Sequence, residues 1–482
     1  MADLRAALPQ TCDVFVPSPG TKPEELLPNR WSRTAISTPH AIVTPTTIPD
    51  IVATINYATS HGLKVIPSGG ARASFVPVTQ DVIYLDLRHF SSFSLDEDKR
   101  EVTFGGACIS GPLIKGLAEK GWYTATPSGN GVGMTGALLG GLNHPLVGVH
   151  GMGKDLVKSF TIVPFSMPDG GELRPVTVTR ESEGEERILF DVLRGAGHGM
   201  GVIVSATMEA YPLADLKLEG GDKVWQRTLV FPPNAVDAAA DAYLALQANA
   251  PSNMSFFTGF MRAPPNAPRP GAPVVLLAAS FFGPAAAAEK VTAITFSDAV
   301  LSKTVNAITT LTPFGDLHNA LDPTNAPGGY KELHGAFVRS IGAPSLSSIF
   351  ASFLSYTNDK PELFGTSVIF PASNTAKSES LAAKDDLYNL RDRGIYVQVK
   401  TSYPTAAGKP EADAFAKSVH ELARTDDREA GRRDWNFANN MVEGMDLKNV
   451  YTSEQISEIA RVAGIWNKGG VGWCPTASGW RR

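Results

Sequence analysis

The stretch Pro127–Gly141, Pro-Ser-Gly-Asn-Gly-Val-Gly-Met-Thr-Gly-Ala-Leu-Leu-Gly-Gly, is the most informative part of this chain. A similar stretch, Pro67–Ser74 (Pro-Ser-Gly-Gly-Ala-Arg-Ala-Ser), lies about sixty residues earlier and directly follows the apolar run Leu63–Ile66. Glycine lets a backbone N–H approach a phosphate closely, because no Cβ stands in the way. Two such loops predict one long ligand that carries a diphosphate and is held in two places. A dinucleotide has this form.

Length and composition narrow the class of protein. A chain of 482 residues predicts two domains rather than one core. The net charge of −5, without a Lys/Arg-rich stripe, argues against a nucleic-acid partner. We see no secretory signal and no apolar run long enough to cross a membrane. Cys12, Cys108 and Cys474 are too isolated for a disulfide framework or a metal site, so we expect a cytoplasmic protein with buried thiols.

The pattern of residue types along the sequence changes near residue 213. From about Ala41 to Pro212, short apolar strands alternate with amphipathic helices and glycine-rich loops. Beyond that point the glycine loops disappear and long strand-like runs follow one another: Trp225–Phe231, Met254–Met261, Val274–Phe282, Thr366–Phe370 and Ile395–Val399. Helical stretches separate these runs, which predicts an α+β fold with an antiparallel sheet in its second part. We interpret the Pro-rich segment 263–270 as a hairpin loop inside that sheet.

The order of the motifs resembles a known family. It is similar to that of the FAD-linked oxidases of the vanillyl-alcohol oxidase superfamily, in particular the berberine-bridge-enzyme-like branch. Residues 67–71 resemble the family's Arg-x-Gly-Gly-His loop, and Gly129–Gly133 resembles its second loop. Arg194–Ile203 resembles the glycine-rich turn before a Gly-Ile-Val strand, and Phe437–Met441 resembles the closing Tyr-x-Asn-Tyr-Met. Four weak motifs in the right order make a fairly specific pattern.

The resemblance implies a two-domain α+β fold. Residues 1–215 would form a PCMH-type FAD-binding domain, and residues 216–433 a substrate domain with an antiparallel sheet and helices. Residues 434–482 would return to the first domain, with Trp435, Trp466, Trp473 and Trp480 as packing residues. The flavin would lie between the two domains, where ligand sites often form.

The resemblance also implies the chemistry. A small organic substrate, a specialised metabolite in our leading interpretation, would lose a hydride to flavin N5, and O₂ would accept the electrons. The residues expected to contact FAD are Ser68, Gly69, Gly70, Ala71, Arg72, Ser74, Gly129, Gly131, Val132, Gly133, Thr135, Gly136, Gly140, Gly141, Gly201, Val202, Ile203 and Asn439. For Arg72, a phosphate contact and a surface position stay equally open.

Three departures from the family pattern bear on mechanism. Many members attach the flavin covalently through the loop His and the second-loop Cys, but those positions here are Ala71 and Gly129. FAD should therefore be non-covalent. The closing Tyr is Phe437, which has no ionisable hydroxyl.

Another proton acceptor must therefore be sought. His144 and His150, just beyond the second loop, are candidates because imidazole titrates near neutral pH, although a structural role is at least as compatible with their sequence. Tyr403, past a strand of the second part, is a third candidate. His198, in the third glycine turn, is interpreted as structural.

Two other classes of function fit the same departures. The scaffold could be a redox-neutral cyclase or isomerase that acts by orienting a reactive substrate. It could also be a non-catalytic binding protein for an aromatic ligand. The colour of the purified protein discriminates these cases, because a colourless chain that cannot be reconstituted with flavin would favour one of them.

Ala71 and Gly129 generate a first prediction. Neither side chain can bond to the isoalloxazine ring, so acid precipitation of the yellow holoprotein should leave all flavin in the supernatant. The intact mass of the denatured chain should equal that of the 51.2 kDa polypeptide alone. A mass increased by one flavin would contradict this prediction.

Overall fold

The first part of the chain builds two sheets, in a computed structural model that describes residues 2–18, 20–293, 295–382 and 387–476. One sheet contains β1 (Asp13–Phe15), β2 (Ala41–Thr44), β3 (Lys64–Ser68) and β4 (Val82–Asp86). Its order is β1-β2-β4-β3, and all its pairs are parallel except β1 with β2. The other contains β5 (Phe93–Asp96), β6 (Glu101–Gly105), β8 (Val157–Pro164), β9 (Val176–Thr179) and β10 (Gly201–Glu209). It is antiparallel, with the order β5-β6-β10-β8-β9. A short ribbon pairs β7 (Trp122–Tyr123) with β11 (Tyr211–Pro212).

The middle of the chain forms a large antiparallel sheet. Its strands are β12 (Lys223–Phe231), β13 (Met254–Arg262), β14 (Pro273–Phe281), β15 (Asn306–Pro313), β16 (Tyr330–Val338), β17 (Ser367–Ser373), β18 (Ile395–Tyr403) and β19 (Trp435–Asn436). They lie in the order β15-β12-β14-β13-β17-β18-β16-β19. The Pro-rich segment joins β13 to β14 as a hairpin loop, as its sequence predicts.

Helices cover both regions. Those of the first part and of the C-terminal segment are α1 (Ala2–Ala7), α2 (Pro23–Leu26), α3 (Ile48–Ser60), α4 (Ser110–Ala118), α5 (Met134–Leu139), α6 (Val147–His150), α7 (Gly184–Leu193) and α16 (Ser453–Trp466). Those of the middle are α8 (Val236–Asn249), α9 (Ala285–Thr292), α10 (Asp298–Leu301), α11 (Asp322–Asn325), α12 (Ala343–Thr357), α13 (Ala376–Ser380), α14 (Lys409–Ala423) and α15 (Thr425–Glu429). Among the described helices, none has both the length and the apolar character needed to span a bilayer.

The large sheet has two different faces, because side chains alternate along each strand. In β18, Ile395, Val397 and Val399 are fully buried in an apolar core together with residues of α8, α12 and α14. The residues between them point to the opposite face, which looks toward the first part of the chain. This alternation decides which middle-domain side chains can reach a ligand.

The C-terminal segment packs against the first part. In α16, Ile459, Val462, Ala463 and Trp466 follow the i, i+3, i+4, i+7 spacing of one helix face and are buried in the same core as Phe190 of α7. Thr452 begins the helix with a capping box, in which its hydroxyl accepts from the Gln455 backbone N–H.

The α+β class and the antiparallel middle sheet are confirmed. The partition at residues 215 and 433 stays a prediction. Its last boundary needs one adjustment, because Trp435 and Asn436 still pair with Phe337 and Ala336 of the large sheet. Trp480 lies outside the described residues.

The burial of α16 leads to a stability prediction. Trp466 is 1% exposed, so Trp466→Ala should lower the free energy of unfolding by about 3–5 kcal/mol through lost burial and a residual cavity. The neighbouring Lys468 is exposed, and Lys468→Ala should change it by less than about 0.5 kcal/mol. Urea titration followed by circular dichroism measures both. A loss below about 1 kcal/mol for Trp466→Ala would show that α16 is not part of the core.

Candidate functional site

A cavity of about 1730 Å³ lies between the glycine-rich loops and the large sheet. One wall contains the first loop, residues 67–74, and the start of α5 after the second loop. The turn at residues 198–201 continues this wall. The opposite wall is the face of the large sheet that points away from α8, α12 and α14. The cavity therefore joins the segment that resembles a dinucleotide site to side chains of the middle of the chain.

The two glycine loops touch each other through their main chains. A Cβ on Gly70 would lie 2.6 Å from Gly133 Cα, and a Cβ on Gly133 would lie 2.7 Å from Gly70 N. A Cβ on Gly69 would lie 2.6 Å from the carbonyl oxygen of Gly106. Side chains cannot fit at these distances, so this part of the cavity wall is made of backbone. The residue with positive φ in the first loop is Ala71, at +52°, whereas Gly70 is not in the left-handed region.

Most of the residues expected to contact FAD line this cavity. They are Ser68, Gly69, Gly70, Ala71, Arg72, Ser74, Val132, Gly133, Thr135, Gly136, Gly201, Ile203 and Asn439. The remaining five, Gly129, Gly131, Gly140, Gly141 and Val202, are not among the lining residues. Val202 belongs to the apolar core, and the space beside Gly140 is filled by Asn439, whose backbone N would lie 2.8 Å from a Cβ there.

Several polar side chains of the cavity have a buried atom without a partner among the described residues: Arg30 Nε, Trp31 Nε1, His198 Nδ1, His318 Nε2 and Asn439 Oδ1. Asn439 donates from its amide to the carbonyl oxygens of Gly136 and Ala137, both at 3.1 Å, but its Oδ1 accepts nothing. His198 lies against the rings of Phe75 and Trp473, and its Nδ1 has no partner. Burial lowers the pKa of His198 to about 4, so the ring is neutral at pH 7. Such orphaned atoms, next to a backbone cradle, fit a polar ligand such as FAD. The sequence predicts a structural role for His198, and its glycine-rich surroundings were the one signal that it could also line the cavity.

The structure does not bring His144 or His150 to the cavity. Both ring nitrogens of His144 are occupied by backbone, with Nε2 2.8 Å from the Gly151 oxygen and Nδ1 accepting from Leu146 N at 3.3 Å. His150 pairs with the Tyr123 hydroxyl at 2.9 Å and stacks on Tyr211. Burial lowers the pKa of both, to about 3 for His144 and about 4 for His150. This geometry argues for structural roles and against the expected role as base.

Tyr403 also points away from the cavity. Its hydroxyl lies 2.9 Å from Thr34 Oγ1 and 3.4 Å from a carboxylate oxygen of Glu332, on the helix-covered face of the large sheet. The residues of β18 that line the cavity are Tyr396, Gln398, Lys400 and Ser402. They alternate with the buried residues of this strand and point to the opposite face of the sheet from Tyr403. The expectation that Tyr403 faces the substrate therefore does not match this geometry. The sequence did not show which face of β18 lines the cavity.

Tyr396 contributes a hydroxyl next to the closing motif. Its ring contacts Phe437 edge-on, with 5.4 Å between ring centroids, and stacks on Phe337 at 4.9 Å. Its hydroxyl donates to Asn440 Oδ1, and burial raises its pKa, so it is a protonated donor at neutral pH. A hydroxyl that is absent from Phe437 is thus present on the neighbouring ring.

A separate cluster has the side chains of a metal site but already contains a cation. Ligand atoms of Glu332, His334 and Asp413 lie within 4.8 Å of one another. The ammonium of Lys409 lies among them, 2.9 Å from Glu332 Oε2 and 2.8 Å from Asp413 Oδ2. This arrangement is a buried ion-pair network on the helix side of the large sheet.

Comparison with known proteins identifies the class. The model of the FAD binding domain family matches residues 39–170. The FAD-linked oxidoreductase hasG of Aspergillus fumigatus is 26% identical over 344 residues, which cover 70% of this chain and 69% of hasG. This chain is an FAD-linked oxidoreductase. The (R)-6-hydroxynicotine oxidase of Paenarthrobacter nicotinovorans is 28% identical, and the match covers 41% of each protein.

The fold of this oxidoreductase matches that of a berberine-bridge-like protein along its whole length. The Physcomitrella patens BBE-like 1 structure superposes with a TM-score of 0.79 at 15% identity, and the alignment covers 99% of both chains. This likeness confirms the two-domain α+β fold that the resemblance implies, and the family match together with the likeness to hasG confirms FAD as the cofactor. Several other curated relatives match over about two fifths of their length.

The contact between the two glycine loops generates a test of the cofactor site. Gly70→Val would drive a branched side chain into the backbone at Gly133, so FAD binding should be lost or weakened at least about tenfold. Gly464→Ala is the matched control, because a Cβ there meets nothing within 4 Å. Flavin absorbance per chain and fluorescence titration with FAD measure the effect. Normal FAD affinity in a folded Gly70→Val protein would contradict the assignment.

Proposed function

We propose that this oxidoreductase removes a hydride and a proton from a small organic substrate, with non-covalent FAD as hydride acceptor and O₂ as final electron acceptor. The observation that carries the proposal is the shared cavity. Its volume of about 1730 Å³ exceeds the roughly 300–1,000 Å³ of an ordinary small-ligand pocket. It therefore offers room for a dinucleotide along the glycine loops and for a substrate against the large sheet.

The proposed roles follow from where each side chain lies. The backbone of residues 69–74 and Gly133 would hold the diphosphate, and Asn439 and His198 would supply additional polar contacts. When bound, FAD supplies a two-electron acceptor, and the protein supplies orientation and a protected cavity. Tyr396 lines the same cavity, and because its one hydroxyl proton is donated to Asn440 Oδ1, its oxygen would accept a hydrogen bond from the substrate.

The charge of the cavity bears on proton transfer. Among the described residues, Asp316 is the one carboxylate that lines the cavity. It already accepts a hydrogen bond from the Asn319 amide at 3.0 Å. The scarcity of carboxylates favours substrates whose proton passes to water or to the flavin over substrates that need a carboxylate as a dedicated base.

The names of relatives support oxidation in particular. One of them is the (R)-6-hydroxynicotine oxidase, and solved structures of similar fold include a chitooligosaccharide oxidase and a xylooligosaccharide oxidase from Myceliophthora thermophila. Fungal relatives such as hasG favour a specialised metabolite as substrate. Their substrates differ, so we propose the reaction type and not a compound.

Anaerobic mixing of the yellow holoprotein with a panel of alcohols, amines and phenolic metabolites tests this proposal. The substrate should bleach the oxidised flavin band, and admission of air should restore it with formation of hydrogen peroxide. A compound that is converted without any bleaching, or by the flavin-free chain, would contradict the proposal and favour a redox-neutral cyclase or isomerase.

The opposite orientation of two tyrosines on β18 gives a sharper prediction. Tyr396→Phe should slow flavin reduction by roughly 10²-fold with unchanged FAD content, because the hydroxyl oxygen that would orient the substrate through a hydrogen bond is lost. Tyr403→Phe removes a hydroxyl on the other face and should leave the rate within about twofold. Stopped-flow measurement of flavin reduction compares the two variants. Equal rates would exclude Tyr396 from the reacting site.

A further inference from the structure

The connection between β15 and β16 reaches from the large sheet to both glycine loops. We call this connection, residues 314–327, the strap. It includes the short helix α11, and residues 316–321 and 325–327 line the cavity. Within the strap, His318 is buried, whereas Asn319 and Asp322 are exposed to solvent. The strap therefore stands between the cavity and the solvent.

Both ends of the strap are fixed to the first part of the chain. Phe314 is buried, and its ring centroid lies 5.4 Å from that of Tyr123. Just beyond the other end, two backbone hydrogen bonds of 3.1 and 2.9 Å join residues 328–329 to residues 30–33. Packing and backbone pairing hold these ends, so a movement of the strap would be confined to the residues between them.

The middle of the strap is held by side chains of the two glycine loops. Asn130 of the second loop donates from Nδ2 to Asn319 Oδ1 and to Asp322 Oδ2, both at 2.9 Å. Arg72 of the first loop donates to Asn325, at 2.8 Å to Oδ1 and at 3.3 Å to the carbonyl oxygen. Because the acceptors of Asn130 are exposed, water can replace its bonds, and opening them costs little free energy.

These bonds lie beside the two positions at which the chain departs from the family pattern of covalent attachment. In the first loop, Arg72 directly follows Ala71. In the second, Asn130 directly follows Gly129, and a Cβ on Gly129 would lie 3.5 Å from Asn325 Nδ2. The strap thus covers the loops where a covalent bond would otherwise hold the flavin. Without such a bond, the rate at which FAD leaves depends on how often its way out is open.

We propose that the strap is a gate for FAD, which must release Asn130 and Arg72 before the cofactor can enter or leave the cavity. This inference rests on the FAD site of the proposed function. The bonds that open join one part of the protein to another and do not join the protein to FAD. Their loss therefore raises the population of the open strap with and without FAD, and it speeds entry and exit of the cofactor alike.

Asn130 and Asp322 allow a clean test, because neither of these two side chains lines the cavity. Asn130→Ala removes both bonds of the second loop, and Asp322→Ala removes one of them from the strap side. Asn249→Ala, which removes a hydrogen bond at the exposed end of α8, is the matched control.

The experiment measures exchange of FAD in the loaded holoprotein. Each holoprotein is mixed with an excess of isotopically labelled FAD and desalted at intervals, and mass spectrometry of the acid-released flavin gives the release rate. The uptake rate is measured by fluorescence after FAD is mixed with the flavin-free chain. The ratio of the two rates gives the Kd for FAD.

Asn130→Ala should speed release and uptake by the same factor, roughly fivefold to tenfold, because two hydrogen bonds of the closed strap are lost. The Kd should stay within about twofold of the wild-type value. Asp322→Ala should give a smaller increase of the same kind, and it should add little to Asn130→Ala, since the two residues share a bond. Asn249→Ala should match the wild type. If Asn130→Ala does not fold, Asp322→Ala decides the test.

Unchanged exchange in Asn130→Ala and Asp322→Ala would overturn the inference. Faster release with unchanged uptake would also overturn it, because the bonds would then contribute to the affinity for FAD and not to a gate. An equal increase in Asn249→Ala would assign the effect to general loosening of the fold. A wild-type chain that cannot be loaded with flavin would instead overturn the proposed function.

Discussion

The contact between the main chains of Gly70 and Gly133 is the constraint on which the rest of the site depends. It holds together two loops that are far apart in sequence and belong to different supersecondary units. Because neither position can accept a Cβ, the surface that the two loops share consists of backbone groups. That surface is suited to a diphosphate, because its N–H groups can approach a phosphate closely. A ligand held there would face β18 and its neighbours across the cavity.

The chemistry of the opposite wall is set by the alternation of side chains along the large sheet. One parity of β18 is apolar and supports the helices, whereas the other parity presents Tyr396, Gln398 and Lys400 to the cavity. Most ionisable groups on the cavity side are cationic, and the carboxylates of Glu332 and Asp413 lie on the helix side with Lys409. The sheet thus separates an internal ion-pair network from the cationic side chains that line the cavity.

The sequence was sufficient to predict the parts of the structure that depend on local pattern. The glycine loops, the α+β class, the antiparallel middle and the hairpin at residues 263–270 follow from composition, spacing and periodicity, and most of the expected cofactor residues line the cavity. The sequence did not predict the direction in which individual side chains point. Tyr403 and Tyr396 lie on the same strand but point to opposite faces of the sheet. Which face is covered by helices depends on residues that are distant in the sequence. His144 looked available next to a glycine loop, but two backbone groups of a later turn occupy its ring nitrogens. Arg72, Lys331 and Lys400 are far apart in the sequence and line one cavity together, a grouping that only the tertiary fold creates.

A crystal structure of the flavin-loaded protein would test the central claim most directly. Electron density for the FAD diphosphate should lie against the backbone of residues 69–74 and Gly133, with the isoalloxazine ring facing Tyr396 and Gln398. No continuous density should run from the ring to Ala71 or Gly129. An isoalloxazine ring found away from the large sheet, or bonded to a side chain of the protein, would contradict the account.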